Sequence, residues 1–387
     1  MVGCGFDVSH RPVEMKPTMN TKPFNMVVFF LGCRLGLIIP IHKRRSVMLT
    51  GKKRLLVLVL AVAGMLMTAP GCFAAKRFFA IATGGTGGTY YPLGGVLAQA
   101  LTTKVKDVII TAQSGNASTA NLNLIRSSSI ESAFVQNNTA YQAYYGTDQF
   151  ENNPVKNVRG IASLYPEVIQ IVTRKAAGIN SISDLKGKSV IPGDRGSGTA
   201  VDAENIITAA GMSFKDFGGV DWLSFSGISQ RMQDNQADAG FITAGIPTSS
   251  VMELVSSTPI TILSLDDTLI AKIIKAHPFY AKVVIPAETY ANQMMPVTTI
   301  AVMAQWVCAA EIDEELIYTL TKELWEPGFH VLRMQDNKPA PAPSGADIMA
   351  QAHAKGKDVT LATALNGMAI PLHPGAERYY REKGLIK

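Results

Sequence analysis

The feature that most constrains this chain is a pattern written twice: a short apolar run, a glycine-rich loop, then a segment with helical spacing. The first copy is the run 78–83, the loop Gly84-Gly85-Thr86-Gly87-Gly88-Thr89, and a segment with Val96, Leu97, Ala100 and Leu101 on one face. Thr89 suits the N-cap of that helix and Pro92 falls in its first turn, where a missing N–H is no loss. The second copy is the run 188–191, the loop Gly193-Asp194-Arg195-Gly196-Ser197-Gly198-Thr199, and a helix to Ala210 that Gly211 stops. Apolar runs without alternation suit strands covered on both faces.

Between and after these copies lie further strand-like runs at 108–111, 132–135, 168–172, 220–224, 239–243 and 298–303. Helical segments fall at 118–128, 139–145, 228–235 and 313–325. Strands alternating with helices predict α/β architecture with open, mostly parallel sheets. The proline-rich stretch 338–343 reads as a stiff connecting loop.

The basic excess of the chain sits at one end. Residues 1–75 carry ten Lys/Arg and two Asp/Glu, while the remainder carries 26 and 28, a net of −2. The body therefore gives no electrostatic reason to bind nucleic acid. Lys52-Lys53-Arg54 precedes thirteen uncharged residues, 55–67, and a small-residue stretch ending at Ala75. That order reads as a secretory signal peptide, cleaved after Ala74 or Ala75, with lipid anchoring through Cys72 as the alternative. Residues 1–75 are then a leader, with translation expected to begin at Met48, and the mature protein is periplasmic and without a membrane span. Of four cysteines only Cys308 lies in the body, in an apolar run that suits a core position.

The glycine loops are the candidate binding elements. Ligands of open α/β sheets bind beyond the carboxyl ends of the strands. There a glycine lets backbone N–H groups approach without a Cβ, and the helix that follows presents its positive end. The expected contacts are Gly85, Thr86, Gly87, Gly88, Thr89 and Tyr90 from the first loop. Arg195, Gly196, Ser197, Gly198 and Thr199 come from the second. Gln113, Ser114, Asn116 and Gln136 lie at other strand ends, and Tyr165 and Phe241 are candidate walls. Arg195 can grip a carboxylate with two parallel hydrogen bonds; the competing reading pairs it with Asp194 or Asp202. With Arg195 in the cleft, Arg195→Ala predicts at least tenfold weaker binding, about 1.4 kcal/mol.

Other chemistries find no support in the residues. Neither loop carries the Lys-Ser/Thr of a P-loop, and Tyr90 and Val201 stand where a dinucleotide fingerprint needs glycine. No G-x-S-x-G elbow or HExxH spacing occurs, and His277, His330, His353 and His373 lie far along the chain from the loops. Glu167 has no evident partner as a base. No enzyme activity, cofactor or metal is expected.

Taken in order, the motifs resemble a known family. The first glycine loop with Tyr90-Tyr91-Pro92, the stretch 113–118, Phe134-Val135-Gln136-Asn137, Leu164-Tyr165-Pro166-Glu167, 184–188, Gly196-Ser197-Gly198-Thr199, 285–290 and the ending 373–380 are similar to TAXI solute receptors. These are the extracytoplasmic binding proteins of one branch of TRAP transporters. The resemblance covers nearly all of 76–387 and implies a two-lobe periplasmic-binding-protein fold (type II), with two crossing strands as hinge. It places 76–168 and 267–387 in the first lobe and 169–266 in the second. It implies closure on glutamate, 2-oxoglutarate or another dicarboxylate, and a TRAP permease as partner; an ABC-importer receptor or a secreted enzyme with the same cleft are the alternatives. The family often has Asp where Asn138 stands and Ala-Pro at Asp194-Arg195. Both departures push the expected cleft toward positive charge and a dicarboxylate ligand.

Overall fold

A computed structural model describes residues 76–335 and 338–387, so the leader and its signal fall outside it. The first strands and helices alternate as the sequence predicts: β1 (Arg77–Ala82), α1 (Tyr90–Lys104), β2 (Val108–Gln113), α2 (Ser118–Arg126), β3 (Ser132–Gln136) and α3 (Asn137–Tyr145). The long β4 (Val158–Arg174) then leads to β5 (Ser189–Ile191), α4 (Gly198–Ala209), β6 (Gly219–Val220), α5 (Phe225–Gln233), β7 (Ala239–Ala244) and α6 (Ser249–Ser257). Next come β8 (Ile260–Ile262), α7 (Asp267–Ala276), β9 (Ala281–Ile285) and a second long strand, β10 (Val297–Ala309). The chain ends with α8 (Glu314–Trp325), β11 (Gly328–Gln335), β12 (Lys338–Ala342), α9 (Gly345–Ala352) and α10 (Pro374–Glu382).

The sheet runs β2-β1-β3-β10-β4-β7-β5-β6. It is two copies of one plan. In the first half β1 lies between β2 and β3, all parallel, and β10 closes the set antiparallel to β3. In the second, β5 lies between β6 and β7, all parallel, and β4 runs antiparallel to β7. This is the two-lobe periplasmic-binding-protein architecture of type II, with β4 and β10 each contributing to both lobes.

Each lobe has its own core on both faces of its sheet. Phe79, Ile81, Phe134 and Trp306 pack on one face of the first lobe, and Ala133, Val135 and Val307 on the other. Ile169, Ile171, Val190 and Phe241 fill one face of the second lobe, and Val168, Val172 and Ile242 its other. All five residues of β3 are buried, each large apolar one stabilising the lobe by about 1.5–3 kcal/mol. The crossing points can be read from these cores. On β4, Tyr165 belongs to the first lobe and Val168 to the second; on β10 the change falls between Val302 and Ala304. Pro166 pairs with Met303 there, and the β4–β10 register slips between Met303 and Gln305. A proline has no N–H to give the ladder, and in a sheet it is tolerated at a bulge.

Three differences from the sequence reading have physical causes. β4 and β10 are far longer than the runs at 168–172 and 298–303, because a strand that serves two cores changes its neighbours midway and its pattern blurs. Leu269, Ile270, Ile273 and Tyr280, which the sequence reading puts in the first lobe, pack in one core with Ile169 and Phe241. The proline-rich stretch is a strand, β12, paired with β11; its prolines fall at every second position and leave the intervening N–H groups for the ladder.

Candidate solute-binding cleft

Parallel βα units deliver their helix N-termini to one edge of the sheet. In this chain both lobes turn that edge inward, onto a shared pocket. Thr89 and Tyr90 bring the start of α1; Ala117 and Ser118 bring α2; Ser197, Gly198 and Thr199 bring α4; Ser224 and Phe225 bring α5. The first two helices belong to one lobe and the last two to the other. The first turn of each helix has N–H groups without intrahelical partners and carries partial positive charge. Ser197 and Ser224 cap their helices by accepting from the N–H groups of Ala200 and Gly227. The cleft holds about 520 Å³ of empty space, part of it open to solvent.

Among the described residues no Lys, Arg or His lines this space; its ionisable side chains are Glu167, Asp194 and Tyr90. Glu167 stands at the crossing of β4, 2% exposed. The Tyr90 hydroxyl donates to its Oε2 at 2.6 Å, and no donor among the described residues reaches Oε1. Burial pushes the Glu167 carboxyl well above the usual carboxylate range; the Tyr90 hydrogen bond pulls it back and Asp202 adds to the rise. Burial likewise raises Tyr90 and, more mildly, the half-buried Asp194. The pocket thus has neutral-to-positive amide walls and two carboxyls, the buried Glu167 with its Oε1 free and the half-buried Asp194.

Behind the wall lies Asp202 of α4, fully buried. Gln136 Nε2 donates to its Oδ2 at 2.9 Å and Asn138 Nδ2 to its Oδ1 at 3.1 Å, both from the first lobe. Thr243 and Tyr280 of the second lobe donate at 2.8 and 2.7 Å. Desolvation pushes Asp202 up to about 6 in spite of these donors. Other bonds join the lobes around the pocket. The Ala120 N–H donates to the Gly196 carbonyl at 3.0 Å, the Ser250 N–H to the Gly87 carbonyl at 3.2 Å, and the Gly245 N–H to Thr89 Oγ1 at 3.1 Å. The conformation is closed.

The sequence candidates divide accordingly. Gly85, Gly88, Thr89, Tyr90, Asn116, Gln136, Ser197, Gly198 and Thr199 line the pocket. Thr86 and Ser114 line a neighbouring depression that shares Gly85, Asn116 and Asp194 with the pocket. Gly87 and Gly196 make the lobe contacts just given. Four candidates lie elsewhere. Gln113 is exposed at the end of β2, where its carbonyl accepts from the Thr83 N–H. Tyr165 and Phe241 are core residues at 0% exposure. Arg195 is exposed, its guanidinium carbon 4.8 Å from the centre of the Trp222 ring; neither Asp194 nor Asp202 pairs with it among the described salt bridges. Stacking on an indole face holds an Arg well without a carboxylate. Sequence reasoning missed Asp202, Thr243 and Ser118, and gave Glu167 no partner. Arg195→Ala is now expected to change solute affinity less than threefold, as titration calorimetry would measure; a tenfold loss would return Arg195 to the site.

The profile of the NMT1-like family matches residues 81–384. The chain belongs to the NMT1-like family. Among solved structures it aligns with PhnD1 from Prochlorococcus marinus in complex with methylphosphonate, at 13% identity and a TM-score of 0.45 over 80% of this chain and 100% of that one. The alkanesulfonate-binding protein SsuA from Xanthomonas axonopodis pv. citri bound to MOPS aligns at 12% and 0.43, over 80% and 84%. An ABC uptake transporter substrate-binding protein from Streptococcus pneumoniae with bound histidine aligns at 14% and 0.39, over 66% and 89%. No helix of the described residues is long and apolar enough to cross a membrane.

Proposed function

We propose that this NMT1-like protein is an extracytoplasmic solute receptor that closes on a small carboxylate and delivers it to a membrane importer. One observation carries the reading: four helix N-termini, two from each lobe, meet on a pocket whose crossing strand contributes Glu167. The amide ends suit a carboxylate. Glu167, with its free oxygen, suits an ammonium or another hydrogen-bond donor on the same solute. The expectation of a cationic cleft built on Arg195 is replaced, and with it the preference for a dicarboxylate over an amino acid. Of the solutes considered, glutamate fits better than 2-oxoglutarate or succinate.

Closure supplies the mechanism. A solute held by α1 and α2 offers its other face to α4 and α5, and the closed state gains population only by the solute's extra affinity for it. Inverting a 1:99 equilibrium takes about 5.5 kcal/mol, within reach of several charge-assisted hydrogen bonds in a drying cleft. Titration calorimetry with glutamate, 2-oxoglutarate and succinate tests the proposal. Glutamate is expected to bind at least tenfold more tightly than either acid without an amine; tighter binding of 2-oxoglutarate or succinate would overturn the ligand assignment.

The permease is a separate matter. The family match reaches the NMT1-like level, so the TRAP assignment rests on the motif resemblance alone, and the ABC-importer alternative stands beside it. Uptake into proteoliposomes holding the cognate permease separates them: dependence on internal ATP supports the ABC reading, and dependence on an ion gradient the TRAP reading.

A further inference from the structure

Asp202 lies behind the solute pocket, and two of its donors, Gln136 and Thr243, form part of the pocket wall. Asp202 does not line the empty space, yet it is the most heavily hydrogen-bonded carboxylate near it, and its four donors come from both lobes. Gln136 ends β3 and Asn138 lies in the first turn of α3, whereas Asp202 lies on α4, Thr243 on β7 and Tyr280 just before β9. Opening the cleft would leave Thr243 and Tyr280 in place and remove only the two amide donors. Asn138 also turns its oxygen to the Thr139 N–H at 2.8 Å, which fixes its amide toward Asp202.

We propose that Asp202 is a positioning residue that latches the lobes: it sets how readily the cleft closes by accepting the side-chain amides of Gln136 and Asn138, without touching the solute. The proposal rests on the closure reading above but not on the identity of the solute. In the closed form the carboxylate trades water for two amide donors. Deleting it leaves both amides buried without an acceptor, a penalty that exists only when the cleft is shut. A second carboxylate at position 138 would face Asp202 in the closed form alone, and like charges at that range cannot both ionise cheaply.

The latch also has a pH sense. The titratable neighbours of Asp202 are Tyr280, which donates to it, and Glu167 on β4; no salt bridge reaches it among the described residues. Its closed-form value, raised to about 6, exceeds the ordinary 3.8 expected when the cleft opens to water. The closed form therefore binds the proton more tightly, and closure is favoured as pH falls through about 6. By linkage, from pH 7.5 to pH 5 the closing equilibrium gains roughly tenfold.

The experiment needs no solute. Small-angle scattering or a distance label across the cleft reports closure of the solute-free full-length protein at pH 7.5 and pH 5. Wild type is expected to close further at pH 5. Asp202→Ala should be more open at both pH values, with the pH response lost. Asn138→Asp should be open at pH 7.5 and recover at pH 5. If Asp202→Ala does not fold, Asn138→Asp carries the test alone. A solute-free opening angle and pH response in the variants equal to wild type would overturn the latch, whatever solute later proves to bind. Failure of every carboxylate to bind, with the opening response intact, would instead fault the proposed function.

Discussion

Gly198→Ala is expected to weaken solute binding at least a hundredfold and to leave the solute-free protein as stable as wild type. A Cβ on Gly198 would overlap the Gln136 carboxamide and come within 2.8 Å of Ser118 Oγ. Both obstacles belong to the opposite lobe. Gln136 cannot swing away cheaply, because Asp202 holds its amide at 2.9 Å. Within its own lobe the substitution is harmless: Gly198 opens α4 just after the Ser197 cap, and alanine favours helix. The strain therefore appears only on closing. A hundredfold loss is about 2.7 kcal/mol, inside the 1–3 kcal/mol typical of overpacking a tight contact. Calorimetric titration measures the loss and thermal unfolding without solute checks the fold; affinity within fivefold of wild type would show that α4 does not approach Gln136 when the solute binds.

Glu167→Gln is expected to have the next largest effect. It keeps the side-chain shape and leaves an oxygen for the Tyr90 hydroxyl, but cannot ionise against a bound ammonium. Losing one partner of a desolvated charge pair costs about 3 kcal/mol, on the order of a hundredfold in affinity for an amino-bearing carboxylate. Affinity for 2-oxoglutarate should change little. The pH sign is opposite to that of Asp202. Burial raises the free Glu167 carboxyl, and a bound ammonium would draw it down again. The solute-bound form thus has the lower value, so this contribution to binding is fully present above the free-cleft value and is lost as pH falls from there through the bound-form value. Proton release on binding, measured in buffers of different ionisation enthalpy, should vanish in the variant. Unchanged glutamate affinity in Glu167→Gln would remove the carboxyl from solute recognition.

Glu167→Gln and Asp202→Ala together separate the roles of two buried acids that look alike in burial. Glu167 reaches the solute space; Asp202 does not, and accepts from side chains of both lobes. Titrations of the solute-free and solute-bound protein distinguish them because one acts on closing alone and the other on the bound ligand.

Much of the fold was legible because its signals are local. Unbroken apolar runs mark strands covered on both faces, and glycine loops followed by capped helices mark the edge where helix ends gather. Those rules predict one cleft for both glycine loops, and residues of both line the pocket. They failed where a residue's setting depends on partners far along the chain. Tyr90 and Glu167 are 77 positions apart, Gln136 and Asp202 are 66 apart; nothing local pairs them. Arg195 read as a ligand group because of its charge and its loop. Gly196, at φ +79°, and Trp222 decide instead where that loop and its guanidinium lie.

The amino-acid sequence by itself determined the class of structure, the doubled strand–loop–helix plan and the backbone elements that face the cleft, since these follow from periodicity and turn chemistry within a few residues. Only the tertiary structure decided the charge of the cleft. Closure of two lobes across β4 and β10 buries Glu167 and Asp202 and leaves Arg195 outside, and burial, not residue type, governs what an ionisable side chain does.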